Sequence, residues 1–82
     1  MKVYVLTTHV VNDYEDYGII VRAFSTKTKA RKALSEWKKS EMPYIKRDEL
    51  TYSSDEDGFE AYEDGRYARN HSMAFIKEVE VE

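Results

Sequence analysis

One segment of the chain, residues 24–39, has a clear helical period and constrains how the rest can fold. Its apolar residues recur every three or four positions, so they fall on one side of a helix. They are Ala30, Ala33, Leu34 and Trp37. Ser25 stands where an N-cap is expected, because its hydroxyl can accept a hydrogen bond from the backbone N–H of Thr28. Pro43 disfavours helical geometry in the residue before it, which predicts a helix end near residues 40–42.

The residues before this helix have the composition of two β-strands. Residues 2–11 and 17–24 are rich in Val, Ile, Thr and Tyr, which favour extended structure. The polar segment between them, residues 12–16, is short enough for a hairpin, so the two strands are predicted to be antiparallel.

The alternation of side chains in the first strand gives two possible buried faces. Val3 and Val5 share one face and Tyr4 and Leu6 share the other, because neighbouring residues of a strand point to opposite sides. We expect Val3 and Val5 to face the helix.

The chain after the helix carries further strand signals. Residues 53–57 have the composition of a loop. Asp64-Gly65 lies between alternating segments and is typical of a two-residue hairpin turn. Residues 72–82 alternate as a half-buried strand does, with a charged outer face near the end.

These elements predict one small α+β domain that covers residues 1–82. Its architecture is β-β-α-β-β-β, an antiparallel sheet of four to five strands with one helix packed on one face. A chain of 82 residues buries about 60–65% of its unfolded surface, which is enough for one modest core. We expect Trp37 to be the main anchor of the helix on the sheet.

Three short stretches of the sequence support a resemblance. They are M-K-V-Y-V-L-T-T at residues 1–8, F-S-T-K-T-K-A at residues 24–30 and F-I-K-E-V-E-V at residues 75–81. The chain is similar in these stretches to small uncharacterised bacterial and phage-borne proteins. The resemblance covers about half of the chain and implies a β-β-α-β core. It implies no activity, cofactor or catalytic residue.

Composition narrows the classes of function. The chain has no cysteine, which rules out disulfides and thiolate metal sites and is typical of a reducing cytoplasm. No run of about 18 apolar residues is present, so no membrane span is predicted. The first residues also lack the pattern of a secretory signal. The sequence therefore predicts a cytoplasmic protein.

Charge is distributed unevenly along the chain. Residues 22–49 carry nine Lys or Arg against four acids, whereas residues 50–82 carry three against nine. The polar face of the predicted helix is basic, with Lys27, Lys29, Arg31, Lys32, Lys38 and Lys39. This face could follow a phosphate backbone, or its charges could pair with the acidic third of the same chain. Binding of nucleic acid through the basic helix, residues 26–40, is the alternative functional hypothesis.

Residues that could support catalysis or bind a metal are few. His9 and His71 could act as bases or ligands, but nothing in the sequence brings them together. The acidic residues from Asp55 to Asp64 lack the spacing of a calcium loop. The only glycines are Gly18, Gly58 and Gly65, so there is no glycine-rich phosphate loop. The sequence predicts no enzyme activity, no cofactor and no metal site.

Seven tyrosines are present, and two of them flank the predicted Asp64-Gly65 turn. A two-residue turn would pair Tyr62 with Tyr67, and paired residues share a face. Tyrosine and arginine are enriched at the centres of protein interfaces. The protein-binding hypothesis names Tyr62, Arg66, Tyr67 and Arg69. The leading prediction is a non-catalytic interaction or accessory module with an unidentified protein partner, itself a monomer or weak homodimer.

Overall fold

The computed structural model describes residues 1–12, 15–63 and 70–81. In chain order the elements are β1 (Lys2–Val11), β2 (Asp16–Phe24), α1 (Lys27–Arg47), β3 (Thr51–Ser54), β4 (Gly58–Tyr62) and β5 (His71–Glu80). The strands form one five-stranded sheet in the order β2-β1-β5-β4-β3, and every neighbouring pair is antiparallel. The predicted α+β class and element order are confirmed.

The two terminal strands form the centre of the sheet. β1 and β5 pair along ten residues, from Lys2 opposite Glu80 to Val11 opposite His71. β2 and β3 are the two edges. Because the chain leaves the sheet at one edge and returns at the other, α1 extends across one face between them.

The core lies between α1 and the face of the sheet that carries Leu6, which is 2% exposed. The expectation that Val3 and Val5 face the helix is therefore wrong. The residues that decide the outcome are alanines: Ala61 and Ala74 on the sheet and Ala30 and Ala33 on the helix, all buried. Small side chains on both surfaces let the helix backbone approach the sheet closely.

Trp37 packs against this core without being its most buried member. Its ring meets Phe59 edge-on, with centroids 5.6 Å apart, and the other ring neighbour of Phe59 is Tyr52 at 5.9 Å. Trp37 is half-buried, whereas Leu34 is 1% exposed and Ile45 is 2% exposed. Leu34 and Ile45 are thus the principal large side chains that fix the helix, and Trp37 extends their contact toward β4.

Both predicted ends of the helix need correction. The N-cap is Thr26, whose hydroxyl accepts from the backbone N–H of Lys29 at 3.2 Å, one residue after the expected Ser25. The helix continues through Pro43 to Arg47. A proline inside a helix costs about 3 kcal/mol, and burial of Ile45 in the following turn offsets part of this cost by about 1.5–3 kcal/mol.

The expected loop at residues 53–57 is shorter than predicted. Ser53 and Ser54 belong to β3, and the turn to β4 consists of residues 55–57. The carboxylate of Asp55 accepts from the backbone N–H of Asp57 at 2.8 Å, which closes this turn.

The register between β4 and β5 also differs from the prediction. Tyr62 lies opposite His71 on one side and Thr51 on the other, so its predicted pairing with Tyr67 is wrong. Just beyond these two strands, the backbone N–H of Glu63 donates to the carbonyl of Asn70 at 3.0 Å. The predicted turn residues, Asp64 and Gly65, lie outside the described residues.

Candidate functional site

The face of the sheet opposite α1 is apolar across three strands, and we call it the open face. Its apolar residues are Val3 and Val5 of β1, Ile19, Val21 and Ala23 of β2, and Met73, Phe75 and Val79 of β5. Ile19 is 65% exposed, Val21 59% and Phe75 39%. No helix or strand among the described residues covers this face. Several exposed apolar side chains on one face of a sheet are typical of interaction surfaces.

Few charges interrupt the open face. Lys77 lies opposite Val5 and has no ion pair within the described ranges of the chain. Glu60, on the neighbouring strand β4, lies opposite Met73, which is two residues from Phe75 along β5. Thr7 and His9 of β1 lie between the apolar residues of β2 and β5, and Lys77 and Glu60 lie on either side of Phe75 along the strands.

The basic side of α1 is directed at the turn between β3 and β4. The Nε of Arg31 donates to Oδ1 of Asp57 at 2.8 Å, and Arg31 also meets Glu56 at 3.3 Å. Lys27 lies 3.7 Å from Asp57, and Lys38 donates to the carbonyl of residue 55. The hydrogen bond from Arg31 lowers the pKa of the Asp57 carboxyl and raises that of the guanidinium.

Three of the six basic residues proposed to bind nucleic acid, Lys27, Arg31 and Lys38, are therefore bonded to the turn between β3 and β4. Among the others, Lys29 donates to the hydroxyl of Ser25 at 3.3 Å. This arrangement corresponds to the second interpretation of the charge pattern, in which the basic helix pairs with the acidic C-terminal third.

A family model described as a domain of unknown function, DUF7336, matches residues 1–82. The chain belongs to the DUF7336 family. No curated protein and no solved structure matches it. Membership agrees with the resemblance to small uncharacterised proteins, and the bacterial or phage origin stays a prediction. Within the described part of the DUF7336 domain, no helix is long and apolar enough to cross a membrane.

The two histidines of the DUF7336 domain lie on the open face with separate carboxylate partners. His9 Nε2 is 2.7 Å from Oδ1 of Asp16, and His71 Nε2 is 3.7 Å from Oε1 of Glu60. A backbone hydrogen bond from Gly18, and then the bond to His9, lower the pKa of the Asp16 carboxyl. Among the described residues, no three His, Cys, Asp or Glu are grouped to hold a metal ion.

Of the four predicted protein-binding residues, the structure describes Tyr62. Tyr62 lies opposite His71, and His71 lies opposite Val11 of β1. Residues opposite one another share a face, so Tyr62 lies on the open face, where it is 42% exposed. Arg66, Tyr67 and Arg69 lie outside the described residues. The exposed apolar centre at Ile19, Val21 and Phe75 was missed in the sequence, because alternating apolar residues in a strand predict a core face equally well.

Proposed function

We propose that this DUF7336 domain is a non-catalytic protein-interaction module that binds through the open face, and that a second copy of the chain occupies that face. The observation that carries the proposal is the exposure of Ile19 and Val21 on an apolar face that three strands share. Burying such side chains contributes about 25 cal/mol per Å² of apolar surface, so leaving them in water forgoes a large favourable term.

The size of the open face supports a reversible homodimer. Strands lie about 4.8 Å apart and rise about 3.4 Å per residue, so the apolar part of β2, β1 and β5 measures about 14 by 34 Å. Two copies packed face to face would cover about 1,000 Å² in total, which is the size of weak and transient interfaces. We expect dissociation in the micromolar range or weaker.

The charges of the open face are complementary under a two-fold axis. Along β5, Lys77 lies two residues after Phe75 and Met73 lies two residues before it. Glu60 of β4 lies opposite Met73. A two-fold axis that runs across the strands at Phe75 brings Lys77 of one copy over the row of Glu60 in the other. A lysine side chain spans the one-strand offset that remains, so each interface contains two such pairs.

Other features of the domain support a role without catalysis. Each histidine faces its own exposed carboxylate. Ser72, which follows His71, is buried on the helix side, so the two side chains point to opposite faces. We extend the proposal to an accessory role in a bacterial or phage cytoplasm, which the resemblance and the absence of cysteine suggest.

Sedimentation equilibrium of the purified chain tests the proposal. We expect the weight-average mass to rise from monomer toward dimer between about 1 µM and 1 mM, as it does for a weak interface. A chain that stays monomeric over this range, or that assembles without limit, overturns the proposal.

A further inference from the structure

A concave surface lies on the helix side of the sheet, away from the open face. It is a cleft of about 560 Å³ between the C-terminal half of α1 and the adjoining ends of β1 and β2. Its apolar walls are formed by Val10, Ile20, Trp37, Tyr44, Ile45 and Leu50. Small-molecule sites are clefts of about 300–1,000 Å³ with mostly apolar walls, so its size and lining fit that class.

The cleft contains one carboxylate without a partner. Glu41 lines it, and within residues 1–12, 15–63 and 70–81 its side chain makes no hydrogen bond or ion pair. It follows Trp37 by four residues and precedes Tyr44 by three, so the three side chains form one stripe along α1. Partial burial raises the pKa of the Glu41 carboxyl, because apolar surroundings disfavour the charged form.

The other charges at the cleft already have partners. Arg47 Nε donates to Oδ1 of Asp48 at 3.1 Å, and the Arg47 guanidinium lies over the ring of Tyr44, 5.2 Å from its centroid. These contacts neutralise Asp48 and leave Glu41 as the unneutralised charge among the described residues of the lining. An incoming cation would therefore be drawn to Glu41.

We propose that the cleft binds a small organic amine, with its protonated nitrogen at Glu41 and its apolar body between Trp37 and Ile45. An ammonium beside a carboxylate gains a charge-assisted hydrogen bond, and aromatic faces attract the same cation. The apolar walls select amines that carry a hydrocarbon or aromatic body over strongly hydrated inorganic cations. This site is independent of the open face, so either proposal can fail alone.

Phenethylamine is a suitable probe, and Trp37 reports on it because it is the only tryptophan in the chain. We expect saturable quenching of its fluorescence by phenethylamine, and binding at least tenfold weaker for 3-phenylpropionate, which replaces the amine with a carboxylate. NMR shifts of the Ile20 and Ile45 methyl groups should locate the ligand in the cleft. Equal affinity for the two ligands overturns the proposal. So does a failure of the quenching to saturate by about 10 mM amine, which is tenfold above a weak dissociation constant of about 1 mM.

A pair of matched variants tests the carboxylate. Glu41→Gln keeps the shape of the side chain and should weaken phenethylamine about tenfold. Glu36→Gln lies on the exposed surface of the same helix and should leave the affinity within twofold. Circular dichroism verifies that both variants are folded. A folded Glu41→Gln chain with unchanged amine affinity contradicts the assignment.

Discussion

Arg31 Nε and Asp57 Oδ1 lie 2.8 Å apart, and the adjacent Nη2 and Oδ2 atoms lie 3.4 Å apart. This two-pronged contact links the N-terminal part of the helix to the turn between β3 and β4. It explains how a basic helix and an acidic C-terminal third can coexist in one small domain. The same contact makes the helix a poorer candidate for binding phosphates, because part of its charge is already neutralised.

The first prediction concerns the pH dependence of this contact. The pKa of the Asp57 carboxyl is lowered in the folded chain, first by the hydrogen bond from Arg31. Its ionised form therefore stabilises the fold above the unfolded pKa of about 4, and the contribution is lost as the pH falls through the lower folded value. Asp57→Asn should reduce the melting temperature at pH 7 and make little difference near pH 2.

Glu36→Gln is the matched control for this experiment, because it removes a carboxylate that has no ion pair within the described residues. Its melting temperature should follow that of the unmodified chain at every pH. Parallel curves for Asp57→Asn and the unmodified chain down to pH 2 would show that the contact does not contribute in this way.

The second prediction concerns the core. Leu34→Ala removes a side chain that is 1% exposed and should cost about 2–5 kcal/mol in the free energy of unfolding. Trp37→Ala should lie at the low end of its own range, about 3 kcal/mol, because Trp37 is half-buried. Lys32→Ala, on the exposed side of the helix, should stay within about 0.5 kcal/mol. Urea denaturation measures all three, and a neutral Leu34→Ala would refute the proposed packing.

The order of the elements could be predicted because each has a local signal. The 3.6-residue period of residues 24–39 and the alternation of residues 72–82 are visible without the fold. The buried face could not be predicted in the same way. Val3 and Leu6 are both apolar, and the choice between them depends on Ala61 and Ala74, which are distant in sequence.

The ends of α1 and the candidate site show the same limit. Pro43 favours an end of the helix near residues 40–42, but the burial of Ile45 outweighs this local preference. Ile19 and Phe75 lie in segments that the sequence predicts to be strands, but a sequence pattern does not show whether a second layer covers them. Only the position of the helix shows that none of the described elements covers the second face of the sheet.

The third prediction tests the nucleic-acid alternative. With Arg31, Lys27 and Lys38 bonded to the turn, we expect only non-specific binding, with dissociation constants no tighter than about 10⁻⁴–10⁻⁶ M at physiological salt. Fluorescence anisotropy with labelled single- and double-stranded DNA and RNA, at several salt concentrations, measures this. A nanomolar complex at physiological salt would place the basic helix above the open face as the functional surface.

The fourth prediction concerns charge pairing between two copies. Lys77→Glu alone and Glu60→Lys alone should each weaken self-association by about fourfold to twentyfold, because a dimer of either variant loses two exposed ion pairs, each worth about twofold to fivefold. An equimolar mixture of the two variants should recover dimers, because each variant then faces the opposite charge at both pairs. Analytical ultracentrifugation distinguishes these cases. A mixture no stronger than either variant would reject the proposed two-fold axis.

The most direct test of the central claim, that the open face binds a second copy, compares two substitutions in one strand. Val21 is 59% exposed on the open face, and its neighbour Ile20 is 57% exposed on the opposite face. Sedimentation equilibrium of Val21→Lys should show a monomer at concentrations where the unmodified chain and Ile20→Lys dimerise. Dimerisation of Val21→Lys to the same extent as Ile20→Lys would contradict the claim.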